Sequence, residues 1–283
     1  QAPASNVGNI IFNVAGNAAN NDGLSCGSDM YTLSNVLSCG DDIYTLEKTA
    51  MAPKVDDFIP TANAIFLPYV EDTPGFRSNL GMTNKTSLPV NVNVFFVPES
   101  GTPTSMEYTV NPNSLLQRNG IVREILGQTS PTNQRGFLVL EPSQANSIVA
   151  FVTPIDNITK DSAVIQGTRG VSGNLLLPTS TSTGFFLTTL SINNDSPNTN
   201  VINIVFRGQS GMAMQAVSVS PYGFFHTENL YQSLGISNDY GPVELTSMNS
   251  PQDNFVVVSR VYTTIDTTIG TGQTFSFFNA EAR

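Results

Sequence analysis

Val90-Asn91-Val92-Asn93-Val94-Phe95-Phe96 and, 110 residues later, Asn200-Val201-Ile202-Asn203-Ile204-Val205-Phe206 read as one strand written twice. Apolar and polar residues alternate in both, so Val90, Val92, Val94 and Phe96 share one face, as do Ile202, Ile204 and Phe206. The likeness extends outward at the same offset. Leu67-Pro68 recurs as Leu177-Pro178, and Thr73 as Thr183. Phe76, Leu80 and Asn84 recur as Phe186, Leu190 and Asn194. Asn93, Phe96, Ser100 and Gly101 recur as Asn203, Phe206, Ser210 and Gly211, making ten identities over positions 66–101. Small gaps then shift the frame, pairing Pro112 with Pro221 and Leu126-Gly127 with Leu234-Gly235. The shared residues are core apolars and turn formers, the signature of a repeated fold rather than a repeated site.

Each copy reads as strands. Ser105 to Val110 and Ala213 to Val219 follow the opening strand across a glycine-containing turn, as in a hairpin. Gly136 to Leu140, Pro242 to Leu245, Phe255 to Tyr262 and Thr274 to Phe278 are further strands. Leu115 to Leu126 and Phe225 to Leu234 are the only segments expected to make helical turns. Regular strands over about 100 residues predict an all-β chain of two tandem Ig-like β-sandwich domains. The boundaries are an extended N-terminal arm at 1–62, a first copy at 63–170 and a second at 171–283.

Composition agrees. Hydrophobic residues are 40% of the 283 and charged residues 12%, about half the usual charged share. The polar surface must therefore come from Asn, Ser, Thr, Gln and Gly, which favour turns and strand surfaces. The net charge is −10, and Arg77, Arg118, Arg123, Arg135, Arg169, Arg207 and Arg260 are dispersed. No cationic face is there to release counterions from phosphates, so nucleic acid is excluded as a partner. No apolar run nears the roughly 18 residues of a membrane span. A start at Gln1 fits a mature terminus after signal-peptide removal, or a trimmed chain. Asn84-Lys85-Thr86, Asn157-Ile158-Thr159 and Asn194-Asp195-Ser196 have the glycosylation frame and would be surface sites if used.

The arm differs in kind. Ile10, Phe12 and Val14 alternate between Gly8 and Gly16 and share one face of an extended strand. No sequential neighbour offers it a hairpin partner, so it must find an edge in its own chain or in another. A 13-residue repeat of the frame LSCGxDxYTL follows, at Leu24 to Leu33 and Leu37 to Leu46. Each unit reads as a turn and a strand. Cys26 and Cys39 are the only cysteines. In an exported chain a disulfide between them is the default, contributing about 3 kcal/mol in the chain-entropy model. Free thiols and a bridge between subunits are the other two options. Asp29, Asp41 and Asp42 read as solvated turn carboxylates rather than a calcium loop, because the EF-hand frame is absent. No metal and no cofactor is expected.

Chemistry is sparse. His226 is the single histidine, so a Ser-His-Asp triad is possible only around it. Its neighbours Phe224 and Phe225 suggest instead a partly buried, hydrogen-bonded ring. No nucleophile elbow, zinc helix or P-loop is present. Glu99, Glu107, Glu124 and Glu141 show no spacing that singles out a glycosidase pair. Trp is absent, which weighs against sugar stacking, although Tyr69, Tyr108, Tyr222, Tyr231, Tyr240 and Tyr262 could serve.

The frame FRSNLGMTN at 76–84, with SRVYT at 259–263 ahead of GTGQ at 270–273, resembles tandem β-sandwich repeats of secreted bacterial proteins. The resemblance covers residues 64–280. The first copy departs from the second frame at Val152-Thr153-Pro154, and the second copy departs from the first at Phe186 to Leu190. It implies an exported bacterial β-protein and carries no common reaction or site. The expectation is a non-enzymatic, exported subunit of a filament, pilus-like fibre or surface matrix. Ile10, Phe12 and Val14 would contact a neighbouring subunit, giving a homo-oligomer or polymer. The alternatives are a secreted adhesin or carbohydrate-binding module that takes surface glycans, and a viral coat or spike protein.

Overall fold

The computed structural model describes residues 58–249 and 253–263, with the strand backbones at 10–18, 31–33, 36–38, 42–50, 273–276 and 278–279. The chain divides into two compact units, Gln1–Lys54 and Val55–Arg283.

In the first unit, β1 (Ile10–Ala18) pairs antiparallel with β4 (Asp42–Ala50), in register from Ile10↔Ala50 to Ala18↔Asp42. The partner that no sequential neighbour offered thus lies later in the arm. β2 (Tyr31–Leu33) pairs with β3 (Val36–Ser38). Both Tyr-Thr-Leu triplets of the short repeat lie in strands, one forming β2 and the other inside β4. Cys26 and Cys39 lie outside the described residues, as do Asp29 and Asp41.

The second unit is all-β, with antiparallel sheets packed in layers as in a β-sandwich. Its first strand set is β5 (Ile65–Asp72), β6 (Phe76–Asn84), β7 (Val90–Pro98), β8 (Thr104–Val110) and β9 (Leu115–Arg118), then the short helix α1 (Ile121–Ile125), β10 (Gln134–Pro142), β11 (Ile148–Asp156) and β12 (Ile165–Gln166). The order β9-β6-β11-β12 makes layer 1, and β8-β7-β10-β5 makes layer 2. One residue pair, Asp72↔Arg77, joins them at a corner. The second set is β13 (Asn174–Thr181), β14 (Phe186–Asn194), β15 (Asn200–Arg207), β16 (Met212–Val219), β17 (Phe224–Thr227), α2 (Leu230–Ser233), β18 (Tyr240–Ser247), β19 (Phe255–Thr263), β20 (Gln273–Ser276) and β21 (Phe278–Asn279). Layer 3 is β17-β14-β19-β20 and layer 4 is β16-β15-β18-β13-β21. The second set repeats the first strand for strand, with β21 added at the end.

The repetition reaches single atoms. Buried Asn84 donates from Nδ2 to the carbonyls of Leu88 and Val110. Asn194 donates in the same way to Asn198, Val219 and Ser220. Ser78 Oγ accepts from the Glu71 amide and donates to the Glu71 carbonyl, and Thr188 does the same with Thr181. Gly136 and Gly241 allow a neighbouring strand to approach. A Cβ there would sit 2.0 Å from the Val97 carbonyl oxygen and 2.2 Å from that of Arg207. Gly127 and Gly235 end the helices at positive φ.

The expected helical segments are only partly helical. Leu115–Arg118 and Phe224–Thr227 are strands, because they pair with the edges of β6 and β14 before the chain turns into α1 and α2. Ladder hydrogen bonds to an existing edge outweigh the weak helical propensity of such short runs.

Each strand set encloses a core. Layers 1 and 2 sandwich Leu80, Met82, Val92, Val94, Leu138, Ala150 and Val152. Layers 3 and 4 sandwich Leu190, Ile192, Ile202, Ile204, Val243, Leu245 and Val257. A third cluster lies between layers 2 and 3, where Phe66, Val97, Phe137 and Val139 meet Val256, with Phe224 packed against them. Layer 3 is thereby covered on both faces. This explains a contrast between equivalent strands. β11 alternates between buried and more exposed residues, whereas Phe255 to Arg260 of β19 are all buried. A strand covered on both faces loses its alternation.

Candidate functional site

One cluster of charged groups of the second unit lies at the junction of layers 2 and 3. β5 and β10 supply Tyr69, Glu71 and Arg135, while β14, β17 and β19 supply Ser191, His226, Arg260 and Tyr262, with Glu228 just past β17. Glu71 is 2% exposed. Its carboxylate lies 3.6 Å from Arg135 Nε and 3.7 Å from Arg260 Nη1. These are charge contacts rather than hydrogen bonds at such lengths. Arg135 also meets Glu228 at 2.7 Å. The Arg260 guanidinium lies over the Phe76 ring, 4.8 Å from its centroid, and 5.4 Å from that of Tyr262.

His226 Nδ1 is 2.9 Å from Ser191 Oγ, and its Nε2 is 3.6 Å from Glu228. The ring stacks on Tyr69 at 5.1 Å and on Phe224 at 6.0 Å. The partly buried, hydrogen-bonded ring expected from the sequence is what the fold builds, with the side chain only 3% exposed.

Burial shapes the electrostatics. Desolvation raises the Glu71 carboxyl above its ordinary value, outweighing the opposite pull of Arg260 and Arg135. The Tyr69 hydroxyl is pushed well up, first by burial and then by Glu71. Glu228, half exposed, is held low by its contact with His226 and by Arg135 and Arg260.

Ser191, His226 and Glu228 are the constituents of a nucleophile, a base and an orienting acid. Here Ser191 is 2% exposed and its partner ring is clasped between two aromatics, so a substrate has no approach to Oγ. The arrangement can fix the register and twist of layer 2 on layer 3. Among the described residues no three His, Cys, Asp or Glu side chains group to hold a metal.

A second feature is a recess of about 280 Å³ where the strand sets meet, lined by Arg169, Gly170, Asp195, Tyr222 and Asn254 among others. Asp195 is raised to about 6, by burial first, with the Gly170 amide as its hydrogen-bond donor. A Cβ on Gly170 would fall 2.2 Å from the Asp195 carboxylate, so glycine is required for this clasp on the connection between the sets.

The expected surface sequons are not all at the surface. Asn84 is 1% and Asn194 0% exposed, and both spend Nδ2 on backbone carbonyls, which removes them as acceptors. Asn157 is half-buried, donates to Thr73 and Pro74, and accepts from Arg77. Of the other candidates, Ile10, Phe12 and Val14 lie in β1. Glu99, Glu107, Glu124 and Glu141 are not brought together: Glu124 pairs with Arg118, Glu141 accepts from the Thr61 amide, and Glu107 sits on β8 near Asn91.

Sequence reading missed Glu71, Arg135, Glu228 and Arg260. One signal was present. Arg260 interrupts an apolar strand where the equivalent residue of β11 is Thr153, and Glu71 stands where β13 has Thr181. Charges without counterparts in a duplicated frame mark the place where the halves touch. Among the described residues, no helix is long and apolar enough to cross a membrane. No protein family, curated protein or solved structure matches this chain.

Proposed function

We propose that this protein is a non-enzymatic, exported structural subunit that self-assembles into an extracellular filament, pilus-like fibre or surface matrix. In this reading, residues 63–170 and 171–283 are tandem Ig-like β-sandwiches serving as scaffold. The arm at 1–62 makes the subunit contact through the strand bearing Ile10, Phe12 and Val14. The observation that carries the reading is the use made of the reactive groups. Ser191, His226, Glu71 and Arg260 are all enclosed between layers, where they bind one part of the chain to another. Deleting residues 1–20 is expected to leave folded protein, by circular dichroism, that forms no assemblies under the electron microscope. Polymerisation of the truncated chain would overturn the arm's role, and a full chain that stays monomeric at every concentration would overturn the subunit reading.

One observation favours a binding module as the second reading. Phe185, Phe186 and Tyr240 are 62%, 50% and 51% exposed, and Tyr240 pairs with Thr181, which precedes the turn that carries Phe185 and leads into β14 at Phe186. Exposed aromatics at one end of a sandwich suit a ligand such as a glycan. Binding to a glycan array that is lost in Phe186→Ser would support this reading over assembly.

A further inference from the structure

Sheets end in strands with unpaired backbone groups, and proteins normally blunt such edges with charge, proline or brevity. Among the described strands, β1, β4, β8 and β16 end a sheet and exceed four residues, while β5, at the end of layer 2, turns the corner into β6 and carries Pro68, Glu71 and Asp72. β4 carries Asp42, Glu47 and Lys48, and β8 carries Glu107. β1, with nine residues, and β16, with eight, contain no charge and no proline. The contrast with β8 is informative, because β8 and β16 are equivalent strands and only β16 has lost its charge. On β16, Met212 and Met214 are 57% and 59% exposed on the outer face. Arg207 on the neighbouring β15 pairs with Glu244 on β18 at 3.0 Å and also lies 3.8 Å from the Met212 sulfur.

We infer that β16 is the acceptor edge for β1 of a second copy of this chain. The two open edges match in length and in their freedom from charge and proline. Pairing them would extend layer 4 by the β1–β4 ribbon, satisfying the backbone groups of both edges at once. The charged strand β4 then becomes the outer edge and closes that side against further addition. Among the described strands each chain has one such donor edge and one such acceptor edge, a heterologous contact that builds a ring where its rotation closes and an open polymer where it does not.

This inference rests on the subunit reading, and the experiment separates the two. The full chain, the double variant Met212→Lys/Met214→Lys and the control Leu115→Lys are compared by light scattering and negative-stain microscopy. All three sites are exposed, and thermal melts confirm that each variant folds. The double variant is expected to raise the concentration needed for assembly by about tenfold or more, roughly the effect of 1.4 kcal/mol. Leu115→Lys, on β9, leaves it unchanged. In assembled wild-type protein the amides of Met212 to Val219 and Ile10 to Ala18 exchange hydrogen more slowly than in monomer. If the wild type assembles while the lysines have no effect and those amides stay unprotected, the β16 contact is wrong and the subunit reading survives. A wild type that never assembles overturns both.

Discussion

Glu71→Ala tests whether the charge cluster holds layers 2 and 3 together. The wild-type carboxylate stands between two guanidiniums, at 3.6 Å from Arg135 and 3.7 Å from Arg260. The two would suffer unequally. Arg135 is 33% exposed and keeps Glu228 at 2.7 Å. Arg260 is 9% exposed, and its Nε and Nη1 are buried without hydrogen bonds, so it would keep only the faces of Phe76 and Tyr262 and the more distant charge of Glu228. Removing one partner of a buried pair typically costs about 3–5 kcal/mol. Since one of the two arginines stays paired, the lower end applies, about 3 kcal/mol. With a urea slope of about 3 kcal/mol per molar for a chain of this size, the unfolding midpoint falls by about 1 M. Adding Arg260→Met should restore at least half of the loss, because the second change removes the stranded charge. A loss below about 1 kcal/mol for Glu71→Ala, or no recovery in the double variant, would refute the idea that these charges are coupled in a dry junction.

Asn194→Ala removes the hydrogen bonds from a fully buried amide to the carbonyls of Asn198, Val219 and Ser220 and should cost about 3 kcal/mol in chemical denaturation, with Asn84→Ala showing a loss of similar kind. Gly136→Ala forces β10 away from the Val97 carbonyl and should cost about 3 kcal/mol or more, or abolish soluble expression. Asp195 has a folded value of about 6 against an ordinary 3.8, so between those values the folded state holds a proton that the unfolded state has released. Its contribution to stability therefore falls as pH rises through that window and is constant above it. Asp195→Asn should lose this slope, so the difference in unfolding free energy between wild type and variant, measured from pH 3.5 to 7, should fall with rising pH up to about 6 and level off above it. Glu71 acts in the same direction and Glu228 in the opposite one, and both cancel in that difference.

Much of the architecture was legible because the fold is written twice. Core apolars and turn residues recur at a fixed offset, and a residue such as Asn84 or Gly127 gains meaning when Asn194 or Gly235 repeats it. The junction between the sets was not legible in the same way. Its members, Glu71, Arg135, His226 and Arg260, are spread over 190 residues and meet only through the packing of two sheets. Burial on both faces of β19 also reads, in sequence, like any apolar strand. The short helices were over-extended for a related reason. Leu115 and Leu116 look equally at home in a helix or a strand until the edge of β6 is known to be waiting.

The duplicated layers also differ in what they can pack against. Layer 2 presents Val97, Phe137 and Val139 to layer 3, but the equivalent positions of layer 4 are Arg207, Pro242 and Glu244. The ion pair between Arg207 and Glu244 would have to be stripped of water for a fifth layer to land there. Layer 4 is therefore closed to a further sheet on the face that layer 2 uses to receive layer 3.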